Sequence, residues 1–232
     1  MTTPMPIAFQ WSGGKDSAHA LGRLLLDHRY QVRCLVSTID RAGSGSTVHG
    51  LAERLLRAQA RAIGVPLHTV ALAGPGLEDY TEVMGDAARR MRAAGIRAVA
   101  FGDLDHSGAF DHRVKLFGPA GLSVVEPLAG LTSPECMEDF LQSRIDARIV
   151  VVDAAVLGPD HLGAALDRAF VQALPAGCDP CGEFGEYHTF VPYAPYFRRA
   201  VTFVVEATEC IERRIGTLDG IRSFSYWQLR LR

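Results

Sequence analysis

The chain has 232 residues, with 24 lysines and arginines set against 26 aspartates and glutamates, a formal net charge of −2. Such a balance offers no global field for nucleic acid or an anionic membrane, and a hydrophobic content of 48% supports a packed core rather than a disordered chain. Five scattered cysteines make no disulfide framework, residues 1–6 lack a basic segment followed by an apolar core, and no apolar run approaches the ~18 residues of a membrane span, so a cytoplasmic protein is expected.

The first element is a buried strand over residues 7–11, which stops at Ser12-Gly13-Gly14-Lys15-Asp16-Ser17. Ala18, Leu21 and Leu25 then recur at helical spacing, so the glycines occupy a strand-to-helix turn. Without a Cβ at Gly13 and Gly14 an anion can approach the main chain, and the helix N-terminus adds partial positive charge. Lys15 supplies a full charge, and Ser12 and Ser17 supply hydroxyl donors. The turn reads as a phosphate cradle, although the spacing of the common ATPase loop is absent.

A second buried strand is expected over 32–39, followed by a Gly/Ser-rich connection over 41–47 that is too polar to pack. Residues 49–63 carry Leu51, Leu55, Ala58 and Ala62 as the stripe of a helix, with Gly64 as its stop. Next come a strand over 67–72, the turn Gly74-Pro75-Gly76, and a helix from Leu77 with Tyr80, Met84, Ala88 and Met91 on one side. A fourth strand over 98–101 runs into Gly102-Asp103, and residues 123–125 make a fifth. Apolar strands without in/out alternation, separated by helices, indicate a doubly wound α/β domain with a parallel sheet. Ligands in such sheets bind beyond the C-terminal strand ends, where the glycine loop and Gly102-Asp103 both fall.

From Pro127 the rhythm changes, and the division expected is 1–127 for the domain carrying the phosphate cradle and 128–232 for a smaller α+β domain. Helices are expected over 134–144 and 160–174, with strands over 148–152, 201–208 and 224–231. Residues 178–197, rich in proline and glycine, read as an ordered loop holding Cys178-Asp179-Pro180-Cys181-Gly182-Glu183-Phe184-Gly185-Glu186-Tyr187-His188-Thr189. Within it Glu183, Glu186 and His188 are candidate catalytic groups.

The Ser-Gly-Gly-Lys-Asp-Ser run resembles the loop of the PP-loop ATP pyrophosphatases, which break ATP between its α and β phosphates. Together with Gly182-Glu183-Phe184-Gly185-Glu186-Tyr187-His188-Thr189 and the stretch from Phe101 to Arg113, it is similar to the diphthine–ammonia ligase family, an N-type branch of the PP-loop (HUP, Rossmann-like) fold. The resemblance implies an ATP-dependent ligase: a carboxylate attacks the α-phosphate, pyrophosphate leaves, and ammonia displaces AMP from the acyl adenylate. It also implies that Ser12, Gly13, Gly14, Lys15, Asp16, Ser17, His49, Gly102 and Asp103 bind nucleotide, with Mg²⁺ held through Asp16 or Asp103 and no other metal. Lys15, Asp103 and Arg113 would act on phosphate or carboxylate, and Glu186 or His188 would take the proton from ammonium. Where the ligases that make diphthamide have Glu-Gly-Gly-Glu, an aromatic, Glu and Thr, this chain has Phe184 and His188, which puts the acid in question. The expected partners are ATP, ammonia and an unidentified carboxylate, without nucleic acid or membrane; a homodimer is left open. A nucleotide-binding module without turnover and a PP-loop tRNA-modifying enzyme are the alternatives.

Asp105, His106, Asp111 and His112 sit with Asp103 in a polar stretch where solvation accounts for them, and Cys178-x-x-Cys181 lacks the two further ligands that zinc needs.

Overall fold

The computed structural model describes residues 3–40, 46, 50–73, 77–104, 109–217 and 220–232. Strands β1 (Met5–Gln10), β2 (Tyr30–Asp40), β3 (Leu67–Leu72), β4 (Ala98–Ala100) and β5 (Ser123–Val125) form one sheet in the order β3-β2-β1-β4-β5. Every neighbouring pair in it is parallel. The connections run through helices α1 (Lys15–Leu26), α2 (Glu53–Ile63), α3 (Leu77–Ala93) and α4 (Ala109–Phe117).

Successive strand residues face opposite sides, and here both sides are covered. Ile7, Phe9, Ala98 and Ala100 join a core with Leu21, Leu24, Leu55 and Leu56, whereas Ala8, Val36, Val99 and Phe101 pack with Met84, Ala88 and Phe117. Double burial is why these strands read as unbroken apolar runs. The doubly wound α/β reading therefore holds, with strand order changing direction between β1 and β4.

The second sheet, in the order β7-β6-β9-β8, is antiparallel: β6 (Asp146–Asp153), β7 (Tyr187–Tyr193), β8 (Val205–Thr217) and β9 (Gly220–Leu231). Helices α5 (Ser133–Gln142) and α6 (Arg168–Ala173) accompany it. Its inner residues Ile149, Val151, Phe190 and Tyr226 belong to the same buried cluster as Leu21 and Leu55. The two sheets thus share one core.

Two expectations are corrected, and one helix is added. The helix over 160–174 is replaced by a short turn at Pro159–His161 and the six-residue α6. Gly163 has φ +82, and the backbone around it is committed to β6, with Gly163 N–H donating to Ile149 O and Leu166 N–H to Ala147 O. Asp167 then restarts the helix by accepting from Phe170 N–H. The loop over 178–197 contains β7, whose Tyr187, Thr189, Phe190 and Val191 are all buried, so no alternation marks the strand. Helix α4 was not anticipated. His49, the turn at Gly74 to Gly76, the pair Asp105 and His106, and the 41–47 connection apart from Ser46 lie outside the described residues.

Candidate active site

Strand β1 ends at Gln10 and α1 begins at Lys15, with Gly14 as its N-cap and no side chain of its own to cap the helix. Gly13 adopts φ +85, and a Cβ there would come within 2.8 Å of Leu51 Cδ1 and Leu56 Cδ2. Only glycine fits that turn. Ser12 Oγ donates to Ser17 Oγ at 3.0 Å and accepts weakly from Gly14 N–H at 3.3 Å, while Ser17 Oγ donates to Gly14 O at 3.0 Å. Gly102, expected to touch nucleotide, has a packing duty: a Cβ would lie 2.7 Å from Ser17 Cα, so its absence lets the end of β4 rest against the first turn of α1.

Strand β7 completes the loop from the other side. Thr189 Oγ1 accepts from Lys15 N–H at 2.8 Å, supplying the missing cap, and Val191 N–H donates to Gly13 O at 3.0 Å. Lys15 is only 4% exposed; its Nζ lies 2.6 Å from Asp16 Oδ1 and 5.5 Å from the centre of the Tyr187 ring. Burial alone would push this ammonium down, but Asp16, with Tyr187, Cys181 and Glu183 adding to it, outweighs burial and holds the pKa above the ordinary lysine range. The cation is permanent. Glu183 shows the opposite effect: burial and then the Asp16 charge raise its carboxyl to about 8, with Lys15 pulling the other way.

Ser12, Gly13, Gly14, Lys15, Asp16, Ser17 and Glu183 thus form one cluster, together with Tyr187 and Thr189. Asp103 and Arg113 form another. Arg113 pairs with Asp103, donates to Glu126 Oε1 at 2.8 Å, and stacks 4.1 Å over the centre of the Phe101 ring. Glu126 follows β5 as Asp103 follows β4, and a charged residue just past an apolar strand was the signal that sequence reasoning passed over.

Two of the three candidate catalytic groups in the loop, Glu186 and His188, are placed differently from Glu183. Glu186 is buried, and each of its oxygens holds the loop backbone: Oε1 accepts from Asp179 N–H at 2.9 Å and Oε2 from Phe184 N–H at 3.0 Å. Its carboxylate folds the loop by joining the backbone at Asp179 and Phe184. His188 sits between Tyr187 and Thr189 on β7, opposite Val151 of β6, and strand period puts it on the face away from Lys15. His188→Ala is accordingly expected to change ATP consumption and amide formation by less than about threefold, since it leaves the phosphate loop's hydrogen bonds in place; a larger loss confined to the ammonia step, measured with purified variant, would restore its role as base.

Behind the loop lies a group of thiols that spacing did not reveal. Cys181 Sγ donates to Ser133 O at 3.2 Å and Cys136 Sγ lies 3.7 Å from His19 Nδ1, whose Nε2 is 3.0 Å from Asp139. Burial lowers the His19 pKa despite Asp139. Among the described residues no three potential ligands converge on a metal position. Gln10 Oε1 and His112 Nε2 are buried without a hydrogen-bond partner, and Gln10 immediately precedes the loop. No helix among the described residues is long and apolar enough to cross a membrane.

Two family models match the chain: the diphthamide synthase N-terminal domain over residues 5–115 and the diphthamide synthase C-terminal domain over 133–222. Diphthine–ammonia ligase of Rattus norvegicus is 25% identical over an alignment of 252 residues, covering 97% of this chain and 91% of that protein. The protein of the same name from Bos taurus is 30% identical over 115 residues, covering 46% of this chain and 42% of the relative, so this match spans less than half of the relative's length. Among solved structures, the U34-tRNA thiolase NcsA of Methanococcus maripaludis with its 4Fe-4S cluster is 14% identical with a TM-score of 0.38, over 62% of this chain and 59% of that one. That similarity is too distant to bear on function.

Proposed function

Because the chain belongs to the diphthamide synthase family, we propose that it is an ATP-dependent ligase, one that adenylates a substrate carboxylate and then amidates it with ammonia. The observation that carries this reading is the buried Lys15 ammonium at a glycine loop and helix N-terminus, beside the Glu183 carboxyl raised to about 8. A passive nucleotide binder needs the first of these and has no use for the second.

The loop and Lys15 hold the β and γ phosphates of ATP. A carboxylate oxygen attacks the α-phosphorus in line, the bond to the bridging oxygen breaks, and its electron pair leaves with pyrophosphate. Lys15, Ser17 and the amide of Gly14 stabilise that departing charge, exchanging their present partners for phosphate oxygens, and this is where most of the rate enhancement arises. Arg113 meets the α-phosphate or the substrate carboxylate by exchanging Asp103, the more exposed of its two partners. Ammonium gives one proton to Glu183; the freed nitrogen attacks the acyl carbon, AMP departs with the C–O electron pair, and the nitrogen loses its second proton to water to become the amide.

The residues present fit Mg²⁺ arriving with the nucleotide: Asp16, with its side chain 28% exposed beside the loop, would hold it, and the ion would neutralise phosphate charge. The division into an ATP-binding part, 1–127, and a substrate-side part, 128–232, belongs to this reading and is supported by the change of family model between residues 115 and 133. So do a cytoplasmic location and the absence of a nucleic-acid partner, which the charge balance supports. The acid is diphthine on a protein, as the relatives' names suggest, or a small carboxylate; Phe184, 78% exposed, stands where the diphthamide-making ligases have glycine.

The test is incubation with ATP, Mg²⁺ and ammonium, with and without candidate acids. AMP and pyrophosphate appearing only when an acid is added supports the proposal. ADP and phosphate would overturn it.

A further inference from the structure

Gln59 is a fully buried polar side chain on the otherwise apolar face of α2, among Leu55, Leu56, Ala60 and Ile63. Its hydrogen-bonding groups point at the turn and at the neighbouring strand β7. Its Oε1 accepts from Trp11 Nε1 at 3.0 Å, and its Nε2 donates to Gly13 O at 3.0 Å and to Val191 O at 2.8 Å. Because an indole N–H can only donate, the amide's orientation is fixed by its partners.

The consequence follows from peptide geometry. A trans peptide carries its C=O and the following N–H on opposite edges of one plane. The Gly13 carbonyl is held inward by two donors, Gln59 Nε2 and Val191 N–H, so the Gly14 N–H is turned to the opposite, outer edge. There its partner among the described residues is Ser12 Oγ at 3.3 Å, a long bond that an anion's oxygen can replace. This plane has a glycine on each side, so side-chain sterics barely oppose its rotation, and a flipped plane would aim a carbonyl oxygen at the anion. Hydrogen bonds, not sterics, select the orientation.

We propose that Gln59 is the positioning residue that holds the Gly13–Gly14 peptide in its anion-binding orientation. The inference rests on the reading of the loop as the site of the two terminal phosphates. It also explains why an amide occupies a helix position that packing alone would give to leucine or methionine. The side chain ties three segments together at one carbonyl: α2, the loop and β7 of the second sheet.

Binding of inorganic pyrophosphate and of AMP by the full chain, measured calorimetrically for the wild type and for Gln59→Leu, tests it. Losing one well-oriented amide donor to a charged ligand should weaken pyrophosphate binding by about tenfold or more while AMP binding stays within about twofold. Pyrophosphate affinity preserved in Gln59→Leu overturns the inference, as does an equal loss for both ligands, which would mean general loosening. A wild type that fails to bind pyrophosphate removes the reading of the loop, and the inference with it. Should Gln59→Leu not fold, Trp11→Phe frees one end of the amide, and the ¹⁵N–¹H signal of Gly14 reports directly: its shift on adding pyrophosphate should be reduced relative to wild type, and an unchanged shift counts against Gln59.

Discussion

Lys15→Ala is expected to lower acid-dependent pyrophosphate release by at least about 10²–10³-fold, the range for losing one preorganised charge stabiliser from a buried site. Two effects add. The variant loses an ammonium that burial has already stripped of water, so no solvent must be displaced when phosphate charge develops. It also leaves the Asp16 carboxylate, formerly 2.6 Å from Nζ, without its cation and beside the bound phosphates. The fold should survive, because Asp16 is partly exposed and can be solvated, and Thr189 still caps Lys15's backbone N–H at the start of α1. Lys15→Met, which keeps most of the stem, separates lost charge from lost volume. Retention of more than about a tenth of wild-type release by both variants would contradict the electrostatic role given to Lys15.

Glu183→Gln is expected to lower amide formation by about 10²–10⁴-fold, the usual contribution of a general base, while adenylation falls much less. The pH dependence carries the sharper signature. Burial, with Asp16 adding to it, raises the Glu183 carboxyl to about 8, so the competent carboxylate is a minority species at neutral pH. The wild-type rate, expressed per ammonium ion, should therefore rise through about pH 8, and this limb should vanish in the variant. Stability runs the other way. The folded state favours protonated Glu183, so its contribution is complete below the ordinary value of 4.5 and is lost as pH rises through about 8. Glu183→Gln should flatten that decline, as read from urea midpoints across the window. A variant with the wild-type limb would move the base elsewhere.

The parts of this site that were legible are those set by local chemistry. Gly13, Gly14 and Lys15 announce their turn because a backbone at φ +85 and a helix start select glycine whatever surrounds them. The parallel sheet was legible because double burial of β1, β2 and β4 erases alternation. What could not be read was which of several similar groups faces the cradle. Glu183 and Glu186 are three residues apart and chemically alike; the turns at Gly182 and Gly185, with φ +70 and +89, wrap the backbone onto Glu186 and leave Glu183 near Lys15. His188 and Thr189 are adjacent, and only the register of β7 against β6 decides which meets the loop. Gln59 reaches Val191 across 132 positions of chain, a contact that no local pattern encodes.

The account depends on the two terminal phosphates of ATP lying in the turn between β1 and α1. Crystals grown with α,β-methylene-ATP, which cannot be cleaved between the α and β phosphorus atoms, would display that directly. The β and γ phosphates should lie within hydrogen-bonding reach of Gly14 N–H, Lys15 Nζ and Ser17 Oγ, with the α-phosphate turned toward Glu183. Adenosine in that turn, or phosphates bound away from it, would contradict the account.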